Sequence, residues 1–251
     1  MNLRLIVILF LLIMLPFGSC MAQQRDLSDK QRNFFVELYP KIVAANKNVQ
    51  KERNHIIRIE QMINSGDKLT FEDVAFLNLE VVKYKVTQPH SPKQFKTTIL
   101  ELKNRVNVIP PDLILAQAAI ESAWGTSRFA KEGNNYFGIH CYGKGCGLYP
   151  GNDKNSRFMV KSYDNVEEGI ADYIYILNTH RAYKEFRQLR AYDINKNVKL
   201  TAKNLAEGLS KYSEKGNEYV KLVQFVAKTY VPTDITTLSE QHEIETAQSE
   251  K

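Results

Sequence analysis

The stretch from Asp112 to Trp124 constrains this chain more than any other. Leu113, Ile114, Leu115, Ala116, Ala118, Ala119, Ile120 and Ala123 leave a helix there almost no polar face. A helix that is apolar all round must be enclosed by other elements, so it belongs at the centre of a packed, helix-rich domain. Pro111 suits its first turn and Gly125 its stop. Two polar side chains interrupt the wall. Gln117 and Glu121 are four residues apart, so they share one stripe and emerge together from an apolar surface. A carboxylate in that setting loses hydration, which raises its pKa and favours the protonated form that a general acid needs. The plainer reading, a Glu at the domain surface or paired with a Lys, stays open on the helix alone.

The 251 residues are 43% hydrophobic and 25% charged, with 12 Gly, 8 Pro and 3 Cys, a composition that excludes a disordered, collagen-like or disulfide-dense chain. A formal net charge of +6 points to anionic partners such as nucleic acid, lipid or a cell-wall polymer. Lys and Arg form no long basic run, so nucleic acid is not an expected partner.

Met1 to Ala22 reads as an export signal. Arg4 precedes the apolar run Leu5 to Leu15, which is shorter than the roughly 20 residues of a membrane-spanning helix and stops at Pro16. Gly18-Ser19-Cys20 resembles a lipoprotein box and makes Cys20 the candidate for lipidation, although Phe17 departs from its usual aliphatic residue. Cys20-Met21-Ala22 offers ordinary cleavage instead. Either way the expected location is the periplasm or cell envelope, with membrane contact only through a lipid anchor. The mature chain then keeps Cys141 and Cys146, an even count that suggests one disulfide in an oxidising compartment.

Residues 23–90 are expected to be a helical N-terminal region. Ile42, Val43, Val49, Ile56, Ile59 and Ile63 recur at helical spacing, Gly66 is placed as a stop, and Thr70 is an N-cap with Asp73 behind it. Two prolines within Thr87 to Pro92 mark the domain boundary. Residues 91–232 then form a second domain, with helices at Lys93 to Val106, Ser127 to Glu132, Val166 to Asn178, Leu200 to Leu209 and Tyr219 to Tyr230. The alternations Phe137/Ile139/Cys141 and Phe158/Val160 predict a small antiparallel β-hairpin lobe within Gly133 to Tyr163. Residues 233–251 are rich in Thr, Glu and Gln and are expected to be a disordered tail. The fold class is α+β, mostly helical. A fragment beginning near Ser91 is expected to hold the active groove, unless the N-terminal helices complete its core.

The string Leu115-Ala116-Gln117-Ala118-Ala119-Ile120-Glu121-Ser122-Ala123-Trp124-Gly125-Thr126-Ser127, followed by Asn134-Asn135-Tyr136-Phe137-Gly138-Ile139, resembles the glucosaminidase-domain family of peptidoglycan hydrolases. Cys141-Tyr142-x-x-Gly145-Cys146-Gly147, Val166-Glu167-Glu168-Gly169, Asn178-Thr179-His180-Arg181-Ala182-Tyr183 and Leu209-Ser210-x-Tyr212-Ser213-Glu214 match its Bax-like branch. The resemblance covers about Val106 to Val231. It implies a lysozyme-like domain whose groove holds a glycan strand, with Glu121 as catalytic acid and Tyr212 as a second catalytic residue that also binds substrate. It also implies that Trp124, Asn135 and Phe137 bind substrate by shaping the groove floor, though Trp124 reads equally well as core.

The implied activity is endo-β-N-acetylglucosaminidase cleavage of peptidoglycan, without cofactor or metal. Such cleavage needs a proton on the leaving oxygen and stabilisation of an oxocarbenium-like transition state, often from a second carboxylate. The expected β lobe contains one acid, Asp153, in a polar turn. Asp153 as second carboxylate and substrate assistance oriented by Tyr212 both stay open. Lytic transglycosylation on the same scaffold and noncatalytic wall binding are the alternatives. A zinc site on His140, Cys141 and Cys146 is disfavoured because adjacent strand residues point to opposite faces.

Overall fold

A computed structural model describes residues 26–249 apart from 152 and 154, so the export signal, both cleavage points and Cys20 lie outside the described residues. No described helix is long and apolar enough to cross a membrane. The fold is α+β and mostly helical, with one small sheet.

Helix α1 (Asp29–Ser65) begins at a capping box between Ser28 and Gln31 and ends at Gly66 in the left-handed region. At 37 residues it is about 55 Å long, enough to serve two cores. Its first half buries Phe34, Phe35, Val36, Leu38 and Ile42 in the main core. Its second half places Ile56 and Ile59 in a smaller cluster with α2 (Phe71–Lys83) and α3 (Pro92–Arg105), through Leu77, Val81, Ile99 and Leu102. Thr70 and Asp73 form the expected capping box of α2. The chain does break between α2 and α3, as the prolines dictate, but α1 reaches past the break into the main core. The first half of α1 therefore helps complete the main core, the alternative that the sequence left open for the N-terminal helices.

Helix α4 (Pro111–Ser122) is the enclosed helix, with Leu113 to Ala119 at most 1% exposed. Around it lie α1, α6 (Val166–Thr179), α8 (Ala202–Leu205) and α9 (Asn217–Thr229). Helix α7 (Lys184–Asn195), preceded by a 3₁₀ turn at Arg181–Tyr183, was not anticipated. The segment expected as a disordered tail is instead α10 (Ile235–Ser249), docked on α1. Ile235, Leu238 and Ser239 form a one-sided stripe there, Ser239 Oγ donates to Val36 O at 3.3 Å, and Thr236 Oγ1 lies 2.8 Å from the Tyr39 hydroxyl. Three docking residues outweigh a polar composition.

After the short α5 (Arg128–Gly133), the β lobe is a three-stranded sheet rather than a hairpin. Strands β1 (His140–Cys141) and β2 (Gly147–Leu148) both pair antiparallel with β3 (Met159–Lys161), which lies between them. Gly147 is obligatory, since a Cβ there would sit 2.0 Å from Val160 O. Cys141 and Cys146 are disulfide-bonded and join β1 to the start of β2. Replacing both with Ser is expected to lower stability by about 2 kcal/mol, the modest loop-closure effect of a short span. Denaturant midpoints test it, and an unchanged midpoint would contradict it.

Candidate active site

Glu121 lies one residue from the end of α4, and the backbone just beyond the helix is unusual. Ala123, Trp124 and Gly125 have φ of 50°, 60° and 72°, so the helix stops at Ser122, before the expected Gly125. Left-handed backbone at a non-glycine residue costs about 1–3 kcal/mol and persists where its surroundings enforce it. Here Ser122 Oγ donates to Ala118 O at 2.6 Å and accepts from Gly125 N at 2.7 Å. The Trp124 ring packs edge-on against Phe35 and Tyr230 at 5.4 Å and against Phe34 at 5.9 Å. Trp124 thus ties the turn after Glu121 to α1 and to the residue that caps the end of α9, which is its reading as core.

Gln117 and Glu121, on their shared stripe, both meet Tyr219. Tyr173 donates to Gln117 Oε1 at 2.5 Å, which orients the amide so that Nε2 donates to the Tyr219 hydroxyl at 2.8 Å. The Tyr219 hydroxyl, having accepted, donates to Glu121 Oε1 at 2.7 Å. Oε1 is thereby fixed as an acceptor, and a proton on the carboxyl belongs to Oε2. That oxygen faces the exposed Gly138, where a Cβ would stand 3.6 Å from it. Burial pushes the Glu121 carboxyl above its ordinary range, against the opposing pull of the Tyr219 hydrogen bond and the Lys215 charge. The result is an acid that stays protonated to higher pH, with its proton on the open side.

Tyr212, expected beside the acid, stacks on Tyr219 with ring centroids 5.5 Å apart, but its hydroxyl donates to Phe137 O at 2.8 Å. It positions the backbone next to Gly138 and leaves contact with Glu121 to Tyr219. Asn135 and Phe137, expected to bind substrate, are 2% exposed and face inward. Asn135 Nδ2 donates to Ile139 O and Lys161 O at 2.9 and 2.8 Å, and its Oδ1 accepts from Phe137 N and Ile139 N at 3.2 and 3.1 Å. Every polar atom of that side chain is spent on shaping the loop. Phe137 stacks on Tyr173 at 4.2 Å. Both residues support the loop around Gly138 from within.

Asp153 is exposed and accepts from Asn155 N at 2.9 Å, capping its own turn. Tyr183 closes a motif of the Bax-like branch that carries no role in the sequence. It is 9% exposed, its ring lies 5.9 Å from that of Tyr212, and burial together with the negative charge of Glu121 pushes its hydroxyl up to about 12. Among the described residues that hydroxyl has no hydrogen-bond partner, so it is a free donor close to the acid.

Residues 96–230 match the family model described as "Glucosaminidase: Mannosyl-glycoprotein endo-beta-N-acetylglucosaminidase". The chain is 31% identical over 193 residues to "Protein bax" of Escherichia coli, covering 76% of this chain and 66% of that protein. It is 39% identical over 57 residues to a "Putative endo-beta-N-acetylglucosaminidase" of Streptococcus pneumoniae serotype 4, covering 23% of this chain and 7% of that protein. No solved structure matches the chain significantly.

Proposed function

The chain belongs to the glucosaminidase family, and from that premise we propose that it is an exported peptidoglycan hydrolase, an endo-β-N-acetylglucosaminidase acting on glycan strands with Glu121 as general acid. The observation that carries the reading is the Glu121 carboxyl itself, with Oε1 held by Tyr219 and Oε2 open beside Gly138. In this reading Oε2–H protonates the glycosidic oxygen as the bond to the anomeric carbon breaks, and Glu121, now ionised, takes a proton from the water that completes hydrolysis. The charge near Glu121 is the cation Lys215, and Asp153 is engaged in its own turn. Both observations favour assistance by the substrate's N-acetyl oxygen over a second protein carboxylate. Tyr183, with its free hydroxyl, takes the orienting role that the motif suggested for Tyr212. Export through residues 1–22, with Cys20 as the lipidation candidate, would bring the enzyme to the wall.

A solitary acid also suits a lytic transglycosylase, which keeps that reading as the second one. Purified sacculi test the proposal. The mature protein should release soluble muropeptides, and binding to sacculi without any release would overturn it.

Two side-chain changes refine the mechanism. Asp153→Asn is expected to leave turnover close to wild type, and a loss as deep as that of a Glu121 variant would restore a two-carboxylate mechanism. Tyr219→Phe removes a hydrogen bond that favours the ionised carboxylate, so the Glu121 pKa rises further. Because the acid must be protonated, activity falls as pH rises through that pKa, and the alkaline limb of the Tyr219→Phe profile should move to higher pH. A limb that stays put or moves to lower pH would contradict this.

A further inference from the structure

A cavity of about 400 Å³ opens where the 3₁₀ turn carrying Tyr183 meets the start of α7. Lys85, Arg105, Arg181, Lys184 and Arg187 line it, with the ring of His180 beside them. Lys85, Arg181 and Lys184 form an exposed rim, while Arg187 is only 3% exposed. Among the described residues these five cations make a single ion pair, between Arg105 Nε and Glu101 Oε1 at 2.7 Å. Arg187 donates from one terminal nitrogen to the carbonyls of Leu177 and His180, both at 3.0 Å, and its buried Nε–H has no partner. Burial, and then the neighbouring Arg105 charge, lower its pKa to about 10. Two carbonyls and the Glu101 charge offset part of the lost hydration of this guanidinium, and its Nε–H stays an unmet donor among neighbouring cations. Such a group is a good receptor for an oxyanion, since the planar guanidinium matches carboxylate and phosphate geometry.

The turn connects this cavity with the catalytic centre. The Tyr183 ring at its end lies 5.9 Å from that of Tyr212, which stacks on the Tyr219 that bonds Glu121, while His180 and Arg181 at its start line the cavity and the His180 and Tyr183 rings are 5.9 Å apart. A glycan lying along Glu121 would therefore have the basic cavity at its flank, where a substituent hanging from the sugar would fall. We propose that this cavity binds the free carboxylates of the peptide stems borne by the glycan strand, an inference that rests on the glycosidase reading. The subsite would make the enzyme prefer stem-bearing to naked glycan.

Binding and turnover by the full mature protein test it together, using Arg181→Ala/Lys184→Ala, a pair confined to the exposed rim. In calorimetric titration a soluble stem tripeptide with free carboxylates should bind wild type about tenfold more tightly than the double variant. Amidating the peptide carboxylates should cause a similar loss, and binding should weaken as salt rises. Inorganic phosphate is the competing source of the same chemistry. Phosphate binding that the double variant abolishes, with no binding of the peptide, overturns the stem assignment, as does peptide binding unchanged in the variant. In turnover, wild type should cleave stem-bearing glycan faster than amidase-stripped glycan, while the double variant cleaves both at the rate of wild type on stripped glycan. Equal wild-type rates on both glycans overturn the preference. If neither glycan is cleaved while charge-dependent peptide binding persists, the glycosidase reading fails and the carboxylate site stands on binding alone.

Discussion

Glu121→Gln is expected to lower release of soluble muropeptides by about 10²–10⁴-fold, the usual contribution of a positioned general acid, with the thermal unfolding transition unchanged. The amide keeps the side chain's volume and can still accept from the Tyr219 hydroxyl, which stands 2.7 Å from Oε1. What it cannot do is deliver a proton from the atom that faces Gly138. The left-handed turn after the helix depends on Ser122 and Trp124 rather than on the carboxylate, so the backbone around the site should persist. A Glu121→Gln protein that is folded yet retains most of its turnover would remove Glu121 from the mechanism.

Deleting residues 1–90 is expected to abolish cooperative folding, and with it turnover. Phe34, Phe35, Val36, Leu38 and Ile42 are between 0 and 8% exposed in the main core. Each is worth about 1.5–3 kcal/mol of burial, so together they rival the roughly 5–15 kcal/mol by which a whole domain is stable. The damage would also be local to the site. Phe34 and Phe35 pack against Trp124, and a Cβ at Gly125 would meet Phe34 at 3.2 Å, so α1 backs the turn just past Glu121. Circular dichroism and thermal melting of residues 91–251 provide the measurement. A fragment that melts cooperatively near the wild-type temperature and cleaves sacculi would contradict this account and restore the boundary at Thr87 to Pro92 as a functional one.

The carboxylate was legible in the sequence because its helix permits so few polar positions. Gln117 and Glu121 on one stripe had to meet something polar, and in the folded chain both meet Tyr219. That partner was not legible, since it lies 98 residues after Glu121 and its position within α9 obeys a packing period that any buried aromatic would satisfy. Motif resemblance picked out Tyr212, Asn135 and Phe137 as residues of the site but not the contacts through which they act. All three act on the backbone around Gly138, a role that depends on where their hydrogen bonds and rings go. Helix α7 escaped notice for a related reason. Its inward face includes Arg187 and Arg190, and periodicity reading treats arginine as surface. Arg190, fully buried, donates to Asn178 Oδ1 at 2.7 Å and to the carbonyls of Asn104, Asn107 and Val108, a set of acceptors that exists only once the helices have assembled.

The central claim is that Glu121 protonates the bond on the reducing side of N-acetylglucosamine and that water completes the cleavage. Digestion of purified sacculi by the mature protein, followed by borohydride reduction and mass spectrometry of the fragments, reads that bond and that second step at once. The account predicts fragments ending in reduced N-acetylglucosamine from wild type and none above background from Glu121→Gln. Fragments ending in anhydro-muramic acid, or in reduced muramic acid, would contradict it.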